Sequence, residues 1–334
     1  MKIAFFEIEG WEKEMLKKGL KGHRLNFFDK TINEVDLKNI EKYNAISVFI
    51  KSKIDEKILS QLKNLKVIAT RSTGFDHIKI SACKKKKIRV FNVPTYGENT
   101  VAEHTFALIL ALSRNVHKAH LRILKRDYSI DGLIGFDLKG KTIGVIGAGN
   151  IGKHVIRIAR GFEMNVLAAD NHLDKFLAEE LNFRYVDLDE LLKKSDIITL
   201  HIPLTKENFH LINKKTIEKM KKGVIIINTS RGDIIDTEAL IHALEKKHVG
   251  GVGLDVIEGE EFIKEEKELL YEKKNKKAIE QIIEDSLLIM KDNVVFTPHI
   301  AFYSKEALNR IISKTIDNLN NYKEKNMNKE AKIC

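Results

Sequence analysis

Short apolar runs alternate along this chain with longer stretches whose apolar residues recur every three or four positions. In the first hundred residues KIAFFEI, RLNFF, AISVFI and KVIATR read as strands, with helix-period segments between them. That alternation predicts a small parallel α/β unit. The pattern resumes at Lys141. There KTIGVI, NVLAAD, DIITLHIP, VIIINTSRG, GGVGLDV and NVVFTPHI give six strand candidates, most joined by helical crossovers, as in a doubly wound sheet. A charged insertion of helical character, Glu260 to Lys291, separates the last two strands. One more helix, Ser304 to about Tyr322, precedes a Lys- and Asn-rich tail expected to fray.

Between the two alternating regions lies GENTVAEHTFALILALSR. Thr100 and Glu103 spell a T-x-x-E capping box ahead of a helix expected to reach about Asp127. It is apolar on most of its circumference, so it must be buried on several sides, a second subunit being one way to cover it.

The run Lys141 to Phe162 carries the first chemistry. A β-branched strand candidate leads into Gly147, Gly149 and Gly152, spaced G-x-G-x-x-G, and an amphipathic helix follows at once. The first glycine makes a tight turn, the second lets backbone approach a pyrophosphate, and the third lets helix pack on strand. Phosphates then rest on free N–H groups at the helix N-terminus. The next strand ends in Asp170, 23 residues after Gly147, where a carboxylate accepts from an adenosine ribose. Asp170 would also repel a 2′-phosphate, which favours NAD over NADP. The glycine unit sits in mid-chain. The nucleotide domain is therefore read as residues 100–300, with a helix at about 100–127, inserted into a discontinuous domain of 1–99 and 301–334. Chemistry is expected in a cleft at the carboxyl ends of the strands.

Composition narrows the function classes. Of 334 residues, 58 are Lys or Arg and 47 Asp or Glu, a net charge of +11 that is spread along the chain rather than gathered with aromatics. That reads as a solvated lysine surface rather than a nucleic-acid site. Cys83 and Cys334 offer neither a disulfide framework nor zinc spacing, and no metal is expected. The opening run is too short for a signal peptide, and no stretch approaches a membrane span. The expectation is a cytoplasmic protein.

Polar groups fall at the carboxyl ends of the predicted strands: His201, Arg231, Asp255, Glu260 and His299. Hydride transfer to a 2-keto acid needs a cation for the carboxylate, an acid for the ketone oxygen and a group that tunes that acid. Arg231 offers a permanently charged fork. Histidine as a residue type can give and take a proton, which suits His299 to the acid's role, and Glu260 would stabilise its imidazolium. Each has a plainer reading as well: a surface ion pair for Arg231, a structural hydrogen-bonder for His299, a solvated acidic run for Glu260.

The chain resembles the D-2-hydroxyacid dehydrogenase family along nearly its whole length. The resemblance rests on GAGNIG, HIPLT (201–205), NTSRGDIID (228–236), GLDVIEGE (253–260) and TPHIAFYS (297–304), with RSTGFDHI from Arg71 and VPTYGENTVAEHT from Val93. HIAFYS, Tyr96 and the insertion look most like the D-lactate dehydrogenase branch. The resemblance implies an α/β fold in which a doubly wound Rossmann NAD domain is inserted into a smaller flavodoxin-like substrate domain. It implies Arg231 on the substrate, His299 as acid/base and Glu260 as its partner. It implies Gly74, Phe75 and Tyr96 at the substrate, and Val101, Asn150, Ile151, Asp170, His201, Pro203, Thr229, Ser230 and Asp255 at NAD beside the glycines. It also implies a homodimer built on the long helix. Ile257 and the charged insertion depart from the usual pattern and leave the preferred acid open. Pyruvate is the expectation; a larger or different 2-keto acid and a non-catalytic NAD-sensing corepressor are the alternatives.

Overall fold

The computed structural model describes residues 1–260, 276–322 and 331–334. Contacts divide the chain into two units, Met1–Tyr96 with Tyr303–Cys334, and Gly97–Phe302.

The first unit begins with β1 (Lys2–Phe5), α1 (Gly10–Gly19), β2 (Arg24–Phe27), β3 (Ala45–Val48), α2 (Glu56–Gln61), β4 (Val67–Thr70), α3 (Ile80–Lys85) and β5 (Arg89–Phe91). All five strands are parallel, in the order β2-β1-β3-β4-β5. That is the flavodoxin-like order. Every residue of AISV in β3 and VIAT in β4 is buried. Central parallel strands are covered on both faces, which is why they read as unbroken apolar runs. Sequence reading did not select β5, only three residues long.

The second unit opens with α4 (Glu98–Ser113) and α5 (Val116–Leu124). It continues through β6 (Thr142–Ile146), α6 (Gly152–Gly161), β7 (Asn165–Ala169), α7 (Lys175–Glu180), β8 (Arg184–Tyr185), α8 (Leu188–Lys194) and β9 (Ile197–Leu200). It ends with α9 (Lys214–Glu218), β10 (Val224–Asn228), α10 (Thr237–Glu245), β11 (Val249–Leu254), α11 (Lys276–Ile289) and β12 (Val294–Phe296). The parallel sheet runs β12-β11-β10-β9-β6-β7-β8. Strand order reverses between β6 and β9, the topological switch point of a doubly wound sheet. The chain then returns to the first unit as α12 (Lys305–Asn320), capped by Ser304, whose Oγ accepts from the Ala307 N–H. Ile312 and Leu319 of α12 are fully buried against β1, β3 and β4.

Two local expectations need correction. The helix expected over 100–127 is two helices, broken at Asn115, which takes a left-handed backbone (φ 52°). The T-x-x-E box does not cap it either: α4 starts after Gly97, Thr100 is buried inside the helix, and Glu103 accepts from Asn99 instead. Of the charged insertion, residues 276–289 form α11, while 261–275 lie outside the described residues, as does the tail at 323–330. The apolar girth of α4 is explained by its neighbours. Phe106, Ile109 and Leu112 share one core with Val155, Ile156 and Ile227. A Cβ on Gly253 would meet Leu108 Cβ at 3.0 Å, so the glycines of GGVGL let α4 lie close on β11.

Candidate active site

The glycine turn after β6 is built as its spacing requires. Gly147 has φ +95°, and a Cβ there would strike the His201 carbonyl at 2.7 Å. A Cβ on Gly152 would lie 1.9 Å from the Gly147 carbonyl, which glycine alone avoids. Gly149 differs, for a Cβ there would enter open space. Protein packing gives no reason for glycine at 149; a backbone cradle kept clear for a pyrophosphate does. The N–H groups of Gly149, Asn150 and Ile151 donate to no group among the described residues. They lead into α6, whose N-terminus adds its dipole. Asn150 is exposed and accepts from Lys153 Nζ, and Ile151 is the N-cap residue of α6.

Asp170, at the end of β7, accepts the Ala148 N–H at 2.7 Å and the His172 N–H at 2.8 Å, one on each oxygen. It thereby ties the second strand to the glycine turn, with lone pairs left for ribose hydroxyls. Turn, helix N-terminus and acid together fit a dinucleotide. His201, after β9, hydrogen-bonds Thr199 Oγ1 through Nε2 at 2.8 Å. Burial pushes its pKa down to about 3, so the ring is neutral, and Nδ1 is buried without a partner among the described residues. Pro203 follows, exposed.

At the other side of the switch point, β10 ends in the turn Thr229-Ser230-Arg231. Asn228 organises it. Its side-chain oxygen accepts from the N–H and hydroxyl of Ser230, and its Nδ2 donates to the Arg231 carbonyl at 2.8 Å. Thr229 is buried against Thr105 of α4 (3.2 Å between hydroxyls), and Val101 is buried one turn earlier in α4. Arg231 Nη1 donates to the Ser230 carbonyl at 2.7 Å. A Cβ on Gly232 would lie 2.0 Å from the Ile257 carbonyl. The Arg231 turn therefore packs directly on the segment leading to Glu260.

His299 closes the site. Its Nδ1 lies 3.1 and 3.2 Å from the two oxygens of Glu260, both side chains partly buried. Its backbone is left-handed, φ +56°. That conformation costs a non-glycine residue roughly 1–2 kcal/mol, so the surroundings must enforce it. Asp255 does so. It is 1% exposed, its Oδ1 accepts the Ile300 N–H and Oδ2 the Ala301 N–H, both at 2.8 Å, and its carbonyl accepts the His299 N–H. The Thr297 hydroxyl donates to the same Oδ1 at 2.6 Å. The resemblance implies Asp255 at NAD; in the structure its carboxylate grips the turn that carries His299.

Gly74, Phe75 and Tyr96 belong to the first unit. The Gly74 carbonyl accepts the Ser72 hydroxyl at 2.7 Å, and the Phe75 carbonyl the Ile78 N–H. The Tyr96 carbonyl accepts Arg310 Nε. Beneath that loop, Arg71 is buried, paired with Glu12 at 3.3 Å and donating to the carbonyls of Phe6 and Glu7. Neither Arg71 nor Asn228 was singled out from sequence. Asn228 had a signal, an amide ending a strand just before a polar turn. Arg71 had none, since its partners, Glu12, Ser47 and the Phe6 and Glu7 carbonyls, lie far from it in sequence. Among the described residues no group of His, Cys, Asp or Glu is placed to hold a metal ion.

A doubly wound nucleotide unit whose later strands end in an arginine turn and a histidine–glutamate pair defines an NAD-linked dehydrogenase. The chain belongs to the 2-hydroxyacid dehydrogenase family. Residues 106–301 match the model of the D-isomer specific 2-hydroxyacid dehydrogenase NAD-binding domain. A 2-hydroxyacid dehydrogenase homolog of Haemophilus influenzae is 39% identical over 338 aligned residues, covering 100% of this chain and 98% of that one. The D-lactate dehydrogenase of Escherichia coli is 38% identical, covering 96% of each chain. Among solved structures, a D-lactate dehydrogenase from Aquifex aeolicus complexed with NAD and lactic acid is 39% identical, with a TM-score of 0.85 over 96% of this chain and 95% of that one. The protein is an NAD-dependent D-2-hydroxyacid dehydrogenase.

Proposed function

We propose that this enzyme reversibly reduces pyruvate to D-lactate, with Arg231, Glu260 and His299 as its working residues. The observation that carries the reading is the contact of His299 Nδ1 with Glu260 at 3.1 Å, on a turn forced into a left-handed backbone. A carboxylate on Nδ1 fixes the ring and leaves Nε2 as the nitrogen that exchanges a proton with the 2-oxygen of the substrate. Arg231 holds the substrate carboxylate with its fork and polarises the ketone. The Gly74–Phe75 backbone and Tyr96 complete substrate binding. Bound NADH supplies the hydride. The glycine turn, Asp170 and the strand-end residues His201, Pro203, Thr229 and Ser230 hold the dinucleotide, with Val101 at its nicotinamide end. Asp170 selects NAD by repelling a 2′-phosphate.

Pyruvate is favoured because the E. coli and Aquifex relatives are D-lactate dehydrogenases over nearly the full length of this chain. A panel of pyruvate, 2-ketobutyrate, 2-ketoisocaproate, phenylpyruvate, glyoxylate and hydroxypyruvate with NADH tests this. The expected result is the highest kcat/KM on pyruvate and D-lactate as product; a clear preference for a branched or aromatic acid overturns it. His299→Gln should lower kcat on the order of 10²–10⁴-fold, as for loss of a general acid. Near-normal turnover would remove His299 from the role. Free thiols at Cys83 and Cys334 fit a reducing compartment such as the cytoplasm, and the working form is read as a homodimer.

A further inference from the structure

His104 lies in VAEHT on α4, far in sequence from Asp255 and Thr297, yet it meets both. Its Nε2 is 3.0 Å from Thr297 Oγ1 and 3.5 Å from Asp255 Oδ1, and its side chain is 19% exposed. The direction of these bonds follows from the groups. At 2.6 Å the Thr297 hydroxyl gives its proton to the Asp255 carboxylate, so it can only accept from the ring. His104 must then carry its proton on Nε2. Burial lowers its pKa, against the pull of Asp255, which favours the neutral ring. The chain of donors reads His104 Nε2–H to Thr297 Oγ–H to Asp255 Oδ1, which also receives the Ile300 N–H.

The Thr297 hydroxyl has a second acceptor in reach, the Leu254 carbonyl at 3.5 Å. With the His104 N–H seated on its oxygen, the hydroxyl proton is turned onto Asp255. We infer that His104 is a positioning residue for the reaction: through Thr297 it fixes the Asp255 carboxylate, which in turn holds the His299 turn and aims the imidazole at Glu260. His104 touches no reacting group itself. Its effect is confined to the placement of His299, and a misplacement of about 1 Å in a reacting group lowers turnover by roughly 10²-fold. The inference rests on His299 being the acid.

The test compares His104→Leu, which deletes the donor, with His104→Gln, which keeps an N–H at similar reach. Thr297→Val and the Leu/Val double variant complete the set. Steady-state rates are taken with the best substrate of the panel, NADH affinity by fluorescence titration, and folding by circular dichroism and melting temperature. His104→Leu should lower kcat by about 10- to 100-fold, with NADH Kd unchanged, and His104→Gln should restore most of it. Thr297→Val should act alike, and the double variant should be no slower than the worse single, since both break one chain of bonds. Unchanged kcat in a folded His104→Leu, multiplicative losses in the double variant, or failure of His104→Gln to recover any activity overturns the inference. So does a fall in NADH affinity that accounts for the loss, which would make His104 a cofactor contact. Normal turnover in His299→Gln would instead sink the reading beneath it, whatever the His104 variants do.

Discussion

Arg231 and Asp285 show how differently two charged residues are used in this chain. Arg231 sits at a strand end, where its Nη1 donates to the Ser230 carbonyl, and its guanidinium is a fork of the shape that suits a carboxylate. Arg231→Lys keeps the charge and loses the fork. KM for the keto acid should rise by at least tenfold and kcat should also fall, while NADH binding is retained; unchanged keto-acid kinetics would show that the fork is not used. Asp285, on α11, is fully buried. Its Oδ1 accepts from Gln281 at 3.1 Å, its Oδ2 has no partner among the described residues, and burial beside Glu258 and Glu284 pushes its pKa up to about 7. Because the folded value lies above the unfolded one, near 3.8, the folded state retains a proton that the unfolded chain gives up. Its contribution to stability is full below about pH 4 and is lost progressively as pH rises to about 7, then stays lost. Asp285→Asn mimics the protonated form. At pH 8 it should raise the melting temperature by about 2–4 °C, and at pH 4 the two proteins should melt together. An equal difference at both pH values would refute a buried proton there.

At the scale of elements, the site depends on two loops touching. Gly232 is the point of contact, since any Cβ would lie 2.0 Å from the Ile257 carbonyl and 2.4 Å from the Glu258 N–H. Backbone cannot yield as a side chain does. Gly232→Ala should therefore part the Arg231 turn from the Glu260 loop, lowering kcat/KM at least tenfold with a smaller loss in melting temperature. Wild-type kinetics in this variant would show that the two loops need not touch. The NTSRG run announced a turn but not this contact, because the partner of Gly232 is Ile257, 25 residues downstream. The same distinction runs through the fold. Buried parallel strands were legible because covering both faces leaves only apolar residues in them. The glycine turn was legible because backbone geometry alone dictates it. The break at Asn115 was not, since LSRNVHKAHLRIL keeps helical spacing across it with neither Gly nor Pro. Arg231, Glu260 and His299 could be picked out as strand-end residues. His104 could not, for its meaning comes from Asp255 and Thr297, which only the folded sheet brings to α4.

For the whole molecule, the break at Asn115 has a further consequence. Beyond it α5 and the chain that follows leave Val116, Leu121, Ile123, Leu124, Tyr128, Ile130 and Ile134 exposed, Ile134 to 93%. These seven fall within 19 residues of one unit, which is denser than the scattered apolar residues of an ordinary surface. The α5 face is strongly amphipathic, with Lys118, Arg122 and Lys125 between the apolar positions, so a like-charged copy must dock with its apolar rows aligned. A two-fold arrangement does this, because each row then meets its own counterpart. The basic positions would be left to the rim, where charges are tolerated at little cost. The protein should accordingly run as a dimer in light scattering coupled to size exclusion. The double substitution Leu121→Glu with Leu124→Glu should give a folded monomer, since four buried carboxylates per interface cannot all be paired. All the chemistry assigned to Arg231, Glu260 and His299 lies within one copy, so the monomer should retain NADH binding. A wild-type monomer at micromolar concentration, or a double variant still dimeric, would show that this apolar face is not where two copies meet.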